Sequence, residues 1–211
     1  MRSTKLLVAL GALLLSSVLT ASTAVAGSHN RGGELSNYPG IASPDGMAAG
    51  PDGSLWFTNL DNNSIGRITT SGLNTNYTSS SIDRPRDITE GPDGALWFTN
   101  SGNNSIGRIT TSGVVTDYTS SSIDRPRDIT EGSDGALWFT NRGDDSLGRI
   151  TTSGVVSNYT GTGISKPEGI ATGPDGAIWF TNVGNDSIGR VTTLGVVSNY
   201  IGCLLYTSRC V

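Results

Sequence analysis

Gly91-Pro92-Asp93-Gly94-Ala95-Leu96-Trp97-Phe98-Thr99-Asn100 decides how this chain is read, because the stretch occurs four times. The other copies run from Gly50 to Asn59, from Gly132 to Asn141 and from Gly173 to Asn182. Their tryptophans, Trp56, Trp97, Trp138 and Trp179, are separated by a constant 41 residues. A fixed period between about 20 and 50 residues marks a solenoid, a propeller or an array, in which one repeat cannot bury its apolar face alone.

The copy from Pro85 to Thr119 shows what each repeat contains. Arg86-Asp87-Ile88-Thr89-Glu90 predicts a short first strand, and Gly91-Pro92-Asp93-Gly94 a tight hairpin, with proline presetting φ and glycine leaving through the left-handed region. Ser133 replaces the proline in the third copy, where the Asp-Gly pair is expected to keep the turn. Ala95–Thr99 predicts a second strand, and its consecutive Leu96, Trp97 and Phe98 require burial on both faces. The polar run 100–104 leads to a third strand at 105–110, and Thr111-Ser112-Gly113 to a fourth at 114–118. Four hairpin-linked strands make one antiparallel sheet, and stacking such sheets radially gives a β-propeller. The Trp-Phe pairs then lie between blades, where burying one such side chain contributes ~1.5–3 kcal/mol. Fixed repetition makes them packing residues rather than an aromatic binding platform.

The phase of the repeat carries a second expectation. Gly33-Glu34-Leu35-Ser36-Asn37-Tyr38 aligns with Gly154-Val155-Val156-Ser157-Asn158-Tyr159, so the pattern opens on a fourth strand. It ends on another, Val196 to Tyr200. The fold class expected is therefore all-β: a propeller with four complete four-stranded antiparallel blades plus one leading outer strand. The leading strand has no blade of its own, which predicts an open arc belonging to a larger ring. A closed four-bladed ring with residues 34–38 left over is the alternative.

Outside the repeats, residues 1–26 carry Arg2, Lys5, an apolar run from Leu6 to Leu19 and Ala24-Val25-Ala26, the pattern of a secretory signal peptide. A polar leader follows at 27–32, blades fill 33–202, and an aberrant tail occupies 203–211. The chain is thus expected to be secreted, with no membrane span, since no other stretch approaches about 20 apolar residues. Without Arg2 and Lys5, 12 of the 14 basic side chains remain against 18 acidic ones, a net charge of about −6. That balance, with no basic stripe, excludes nucleic acid as a partner. His29, the only histidine, lies in the polar leader. Cys203 and Cys210 fit either an exported disulfide or a tail foreign to the repeats.

Gly-Pro-Asp-Gly-Ala-Leu-Trp-Phe-Thr at 91–99, followed by Ile-Gly-Arg-Ile-Thr-Thr-Ser-Gly at 106–113, resembles the virginiamycin B lyase (streptogramin lyase) family over residues 33–202. The resemblance implies a seven-bladed propeller, of which this chain carries a fragment, monomeric when complete. It also implies a carbon–oxygen lyase that opens streptogramin B antibiotics by elimination, using Mg²⁺ and a histidine as general acid or base. The resemblance further implies repeats that commonly read Trp-Phe-Thr-Glu. Here the last residue is Asn59, Asn100, Asn141 or Asn182, and an amide neither acts as a base nor binds Mg²⁺ as a carboxylate does. No repeat holds a histidine. No catalytic residue or metal ligand is therefore assigned, and no cofactor is evident beyond the implied Mg²⁺. The expected role is binding or scaffolding, with lyase activity, its histidine and glutamate on further C-terminal blades, as the alternative.

The strongest ligand candidates follow the recurrent proline, where the innermost strand begins at the mouth of the central channel. They are Asp45, Arg86, Asp87, Arg127, Asp128 and Glu168, and a small molecule or peptide is the partner they suit. Two readings stand: a ring of charges that orients a polar ligand, or ion pairs between adjacent blades. The oxygen-rich loops, such as Asp144-Asp145, read as turns, with a hard cation as the alternative.

Overall fold

The computed structural model describes residues 38–202. The expected signal peptide, the polar leader, most of the leading strand and both cysteines lie outside the described residues. Within them the chain forms sixteen strands in four four-stranded antiparallel sheets, with no helix. The first blade is β1 (Pro44–Ala49), β2 (Leu55–Asn59), β3 (Ser64–Ile68) and β4 (Asn74–Thr78). The second is β5 (Pro85–Glu90), β6 (Leu96–Asn100), β7 (Ser105–Ile109) and β8 (Val115–Thr119). The third is β9 (Pro126–Glu131), β10 (Leu137–Asn141), β11 (Ser146–Ile150) and β12 (Val156–Thr160). The fourth is β13 (Pro167–Thr172), β14 (Ile178–Asn182), β15 (Ser187–Val191) and β16 (Val197–Ile201). In every sheet the strands lie in sequence order. The strand ends read from the sequence differ from these by a residue.

The recurrent hairpin forms as expected. Gly91 N–H donates to the Ala95 carbonyl at 2.8 Å, and Gly94 leaves the turn at φ 69°. In the third copy Gly132 N–H donates to Ala136 at the same 2.8 Å, so Ser133 in place of proline leaves the turn intact.

Side chains alternate faces along a strand, and this sends Trp97 and Phe98 in opposite directions. Trp97 and Ile106 pack forward on Ile129, Leu137 and Phe139 of the third blade. Phe98 packs backward, joining Trp56 and Ile65 of the first blade. Gly107 sits under that ring: a Cβ there would lie 2.1 Å from Phe98 Cζ, so no larger residue fits without moving the phenylalanine. Each tryptophan is also covered by its own blade's tyrosine, as Trp97 is by Tyr118 with ring centroids 5.2 Å apart.

The innermost strands stand side by side in the order β1, β5, β9, β13. The blades do not close on themselves. Leu55 of the first blade is 43% exposed while its equivalents Leu96 and Leu137 are fully buried, and Ile188 of the fourth is 43% exposed while Ile65 and Ile106 are fully buried. The described residues therefore form an open arc rather than the closed four-bladed ring of the alternative reading.

Candidate functional site

Each inner strand begins with a proline entered from a left-handed residue. Ser43, Arg84, Arg125 and Lys166 have φ of 48°, 48°, 45° and 44°, a region that residues with a Cβ seldom occupy. The preceding blade holds the entrance in place. Asn63 Oδ1 accepts the Arg84 N–H at 2.9 Å, Asn104 that of Arg125 at 2.9 Å, and Asp145 that of Lys166 at 2.7 Å. Asp144 meanwhile accepts the Ser146 hydroxyl at 2.6 Å. The Asp144-Asp145 pair is thus committed to turn and blade-joining hydrogen bonds, the turn reading of these loops.

Beyond each proline the strand bulges, and a threonine fills the bulge. Thr99 Oγ1 accepts the Asp87 N–H at 3.1 Å and donates to the Arg127 carbonyl of the next blade at 2.8 Å. Thr58 and Thr140 repeat this arrangement. Sequence reading missed these threonines, although their presence in every repeat was the signal that marks them.

The bulges carry all six candidate residues into one place. Asp45, Arg86, Asp87, Arg127, Asp128 and Glu168, with Gly46 and Gly169, line a cavity of about 230 Å³ on the inner strands. Two ion pairs bridge neighbouring blades there: Arg86 Nη1 to Asp45 Oδ2 at 3.1 Å, and Arg127 Nη2 to Glu168 Oε1 at 2.9 Å. Arg142 Nε adds a second cation to Glu168 at 3.3 Å. The ion pairs between adjacent blades are therefore formed by side chains that also line the cavity. Arg86 Nε is buried and has no protein partner.

Asp87 and Asp128 are held differently. Asp87 Oδ2 accepts the Ile129 N–H at 3.0 Å, and Asp128 Oδ2 accepts the Ile170 N–H at 2.7 Å, so each leans onto the next blade. Burial, and then the hydrogen bond and charge of the adjacent Asp128, push the Asp87 carboxyl up to about 8. Gly46 is the counterpart of Asp87 in the first blade, and a Cβ there would lie 2.5 Å from Asp87 Oδ1. The carboxyl group occupies that space.

The recurrent asparagines Asn59, Asn100, Asn141 and Asn182 are not among the residues that line the cavity. Asn100 is fully buried: its Nδ2 donates to the Ser81 carbonyl and to Ser105 Oγ, both at 3.1 Å, while its Oδ1 accepts the Asp83 N–H at 3.3 Å. Asn141 and Asn182 make the same set of bonds, and Asn59 also donates to its serine, Ser64, at 3.0 Å. These amides tie the incoming loop to the turn that leaves the second strand, a task that needs donor and acceptor together.

Magnesium does not fit what the described residues offer. No group of three or more His, Cys, Asp or Glu side chains among them is placed to hold a metal ion. Within the cavity, Asp87 and Asp128 each already spend an oxygen on a backbone N–H.

Fold and site together define a β-propeller whose inner strands present a polar cavity. The model of the virginiamycin B lyase family matches residues 18–203, and the chain belongs to that family. A solved virginiamycin B lyase from Staphylococcus aureus is 39% identical, with a TM-score of 0.74 over 77% of this chain and 57% of its own. A catalytically inactive histidine-to-alanine variant of a Staphylococcus aureus virginiamycin B lyase, solved with quinupristin, is also 39% identical, with a TM-score of 0.72 over 76% of this chain and 56% of its own. This chain therefore spans little more than half the length of those proteins. A gluconolactonase-like structure at 17% identity and a TM-score of 0.62, over 76% of this chain and 63% of its own, shares the fold. No curated protein matches the chain. No helix among the described residues is long and apolar enough to cross a membrane.

Proposed function

We propose that these blades form the ligand-binding arc of a secreted propeller, holding a small polar molecule or peptide over the inner strands. The observation that carries this reading is the cavity that gathers Asp45, Arg86, Asp87, Arg127, Asp128 and Glu168. Its two ion pairs are internally neutralised, and a carboxyl with a pKa of about 8 is mostly protonated at pH 7. Such a surface donates and accepts hydrogen bonds without a strong field, which suits amide and ester groups rather than ions. Calorimetric titration with quinupristin tests it. A saturable heat, weakened about tenfold by Arg127→Ala, is expected, and no heat at millimolar ligand rejects this ligand class.

A second reading is a Mg²⁺-dependent lyase that linearises streptogramin B antibiotics and so confers resistance. The 39% identity to virginiamycin B lyases, one of them solved with quinupristin, favours it. On this reading the histidine and glutamate belong to blades beyond the described ones, because the described residues contain no histidine and place their recurrent asparagines in loop anchorage. Mass spectrometry after incubation with quinupristin and Mg²⁺ separates the two. A linear product supports the lyase, and unchanged antibiotic supports binding alone.

A further inference from the structure

The contacts between neighbouring inner strands are not alike. Arg86 of β5 turns to Asp45 of β1, and Arg127 of β9 turns to Glu168 of β13. The middle contact, β5 against β9, receives neither ion pair and sets Asp87 beside Asp128 instead. At this position the four inner strands read Gly46, Asp87, Asp128 and Gly169. Two carboxyls therefore meet at this position only between β5 and β9.

The glycines leave room for the two acids. A Cβ on Gly46 would lie 2.5 Å from Asp87 Oδ1, and one on Gly169 would lie 3.7 Å from Asp128 Oδ2. One backbone donor serves both side chains: Ile129 N–H donates to Asp87 Oδ2 at 3.0 Å and to Asp128 Oδ1 at 3.2 Å. Two carboxylates drawn to one N–H in a half-buried site repel each other, whereas a proton held between them removes a charge and adds a hydrogen bond.

No free cation relieves that repulsion. Facing Asp87 are Asp45 from β1, Arg86 from its own strand, Arg127 and Asp128 from β9, and Glu168 from β13. Both of these arginines are paired with other acids, and Arg142 also binds Glu168. The strands packed behind, β2, β6 and β10, each read Leu-Trp-Phe-Thr-Asn and bring no titratable group. Glu90 and Glu131 stand at the far ends of β5 and β9.

We infer that Asp87 and Asp128 hold one proton between them, and that it is a pH-operated clasp joining β5 to β9 beneath the cavity. When the proton leaves to bulk water, two anions stand side by side, the carboxyls part and the cavity loses its shape for ligand. The effect on ligand rests on the binding role proposed above, whereas the clasp itself does not.

Ligand-free protein with ¹³C-labelled aspartate carboxyls decides the clasp. The signals of Asp87 and Asp128 should both move in one step centred at about pH 8, because each reports loss of the common proton. Exchange of the Ile129 amide should quicken through the same step, beyond the rise that base catalysis gives other amides. Asp128→Asn offers Asp87 a permanent donor and should move its step to lower pH. A step at Asp87 alone that Asp128→Asn leaves in place overturns the inference, since burial would then be its whole cause. So does the absence of any alkaline step.

Calorimetric titration with quinupristin from pH 6 to 9 then reads the ligand. Affinity should be nearly level up to pH 7 and about tenfold weaker at pH 9, where about a tenth of the molecules keep the proton. Asp87→Asn can donate to Asp128 at every pH, so its affinity should stay level to pH 9. A wild-type affinity that stays level through the carboxyl step overturns the switch. No heat at any pH rejects the binding reading instead, and the carboxyl titration still decides the clasp.

Discussion

Asp93 Oδ1 accepts the indole N–H of Trp97 at 2.9 Å, while its Oδ2 accepts Arg108 Nε at 2.6 Å. One turn residue therefore fixes both a fully buried side chain of the inter-blade core and the cation on the neighbouring strand. Asp52, Asp134 and Asp175 repeat the arrangement with Trp56, Trp138 and Trp179. Burial alone would raise the Asp93 carboxyl, but the hydrogen bonds from Trp97 and Arg108 hold it below the ordinary aspartate value.

The first prediction separates those two bonds. Asp93→Ala removes both and should cost about 1–2 kcal/mol, the net contribution of partly exposed hydrogen bonds of this kind. Asp93→Asn keeps an acceptor for the indole and loses only the half-exposed ion pair, so it should cost under about 1 kcal/mol. Urea unfolding of the two variants checks the order. Equal losses would show that the ion pair, rather than the tryptophan, is what the carboxylate serves.

Thr99 and Thr181 supply an internal control. Thr99→Val keeps the shape but strips the Asp87 N–H of its acceptor and the Arg127 carbonyl of its donor, which should cost about 1–3 kcal/mol. Thr181 is exposed and bonds only the Gly169 N–H of its own blade, at 2.9 Å. Thr181→Val should therefore cost under about 1 kcal/mol. Thermal melts of the pair decide whether the bulge threonine joins blades or only shapes its own strand.

Asn100 tests whether a carboxylate can stand in for the buried amide. Asn100→Asp keeps the volume but removes the donors to the Ser81 carbonyl and to Ser105 Oγ, and sets a charge near Asp117, whose Oδ1 lies 3.3 Å from Nδ2. A buried carbonyl left unpaired costs about 1–3 kcal/mol, and a charged acceptor in place of the amide adds to that. Asn100→Glu should be worse still, because the longer side chain has no space in a fully buried site. Neither variant should gain activity on a streptogramin. A stable Asn100→Glu protein that turned over quinupristin would reverse this assignment of the amide to structure.

The architecture was legible in the sequence because it is written four times. Spacing fixed the blades, Pro92-Asp93-Gly94 fixed the hairpin, and the run Leu96-Trp97-Phe98 announced burial on both faces. The direction of each ring was not legible, since a period of two settles it only once the neighbouring blades are in place. The six charged candidates were found from their position after the proline. Their division into two ion pairs and two backbone-bound aspartates was not, because it depends on which blade each side chain leans toward. Asn100 was read from its departure from the pattern that the resemblance implies, and its hydrogen bonds to the loop before β5 became visible only in three dimensions.

The pH dependence of stability follows from Asp87 and from the turn aspartates, with opposite signs. Asp87 takes up its proton at about 8 in the folded arc and at an ordinary 3.8 when unfolded. The folded state therefore binds more protons between those values, so this contribution is fully present below about 3.8 and is lost as pH rises through about 8. The turn aspartates behave conversely: Asp175, held down to about 2 by the Trp179 and Arg190 hydrogen bonds, contributes above 3.8 and loses that contribution as pH falls toward 2. The melting temperature should thus peak on the acid side of neutrality, decline up to about pH 8 and level off above it. Asp87→Asn cannot ionise, so it should flatten the alkaline decline while leaving the acid limb unchanged. Melting curves of both proteins from pH 3 to 9 check this, and an alkaline limb that survives the substitution would show that Asp87 is not the group that sets it.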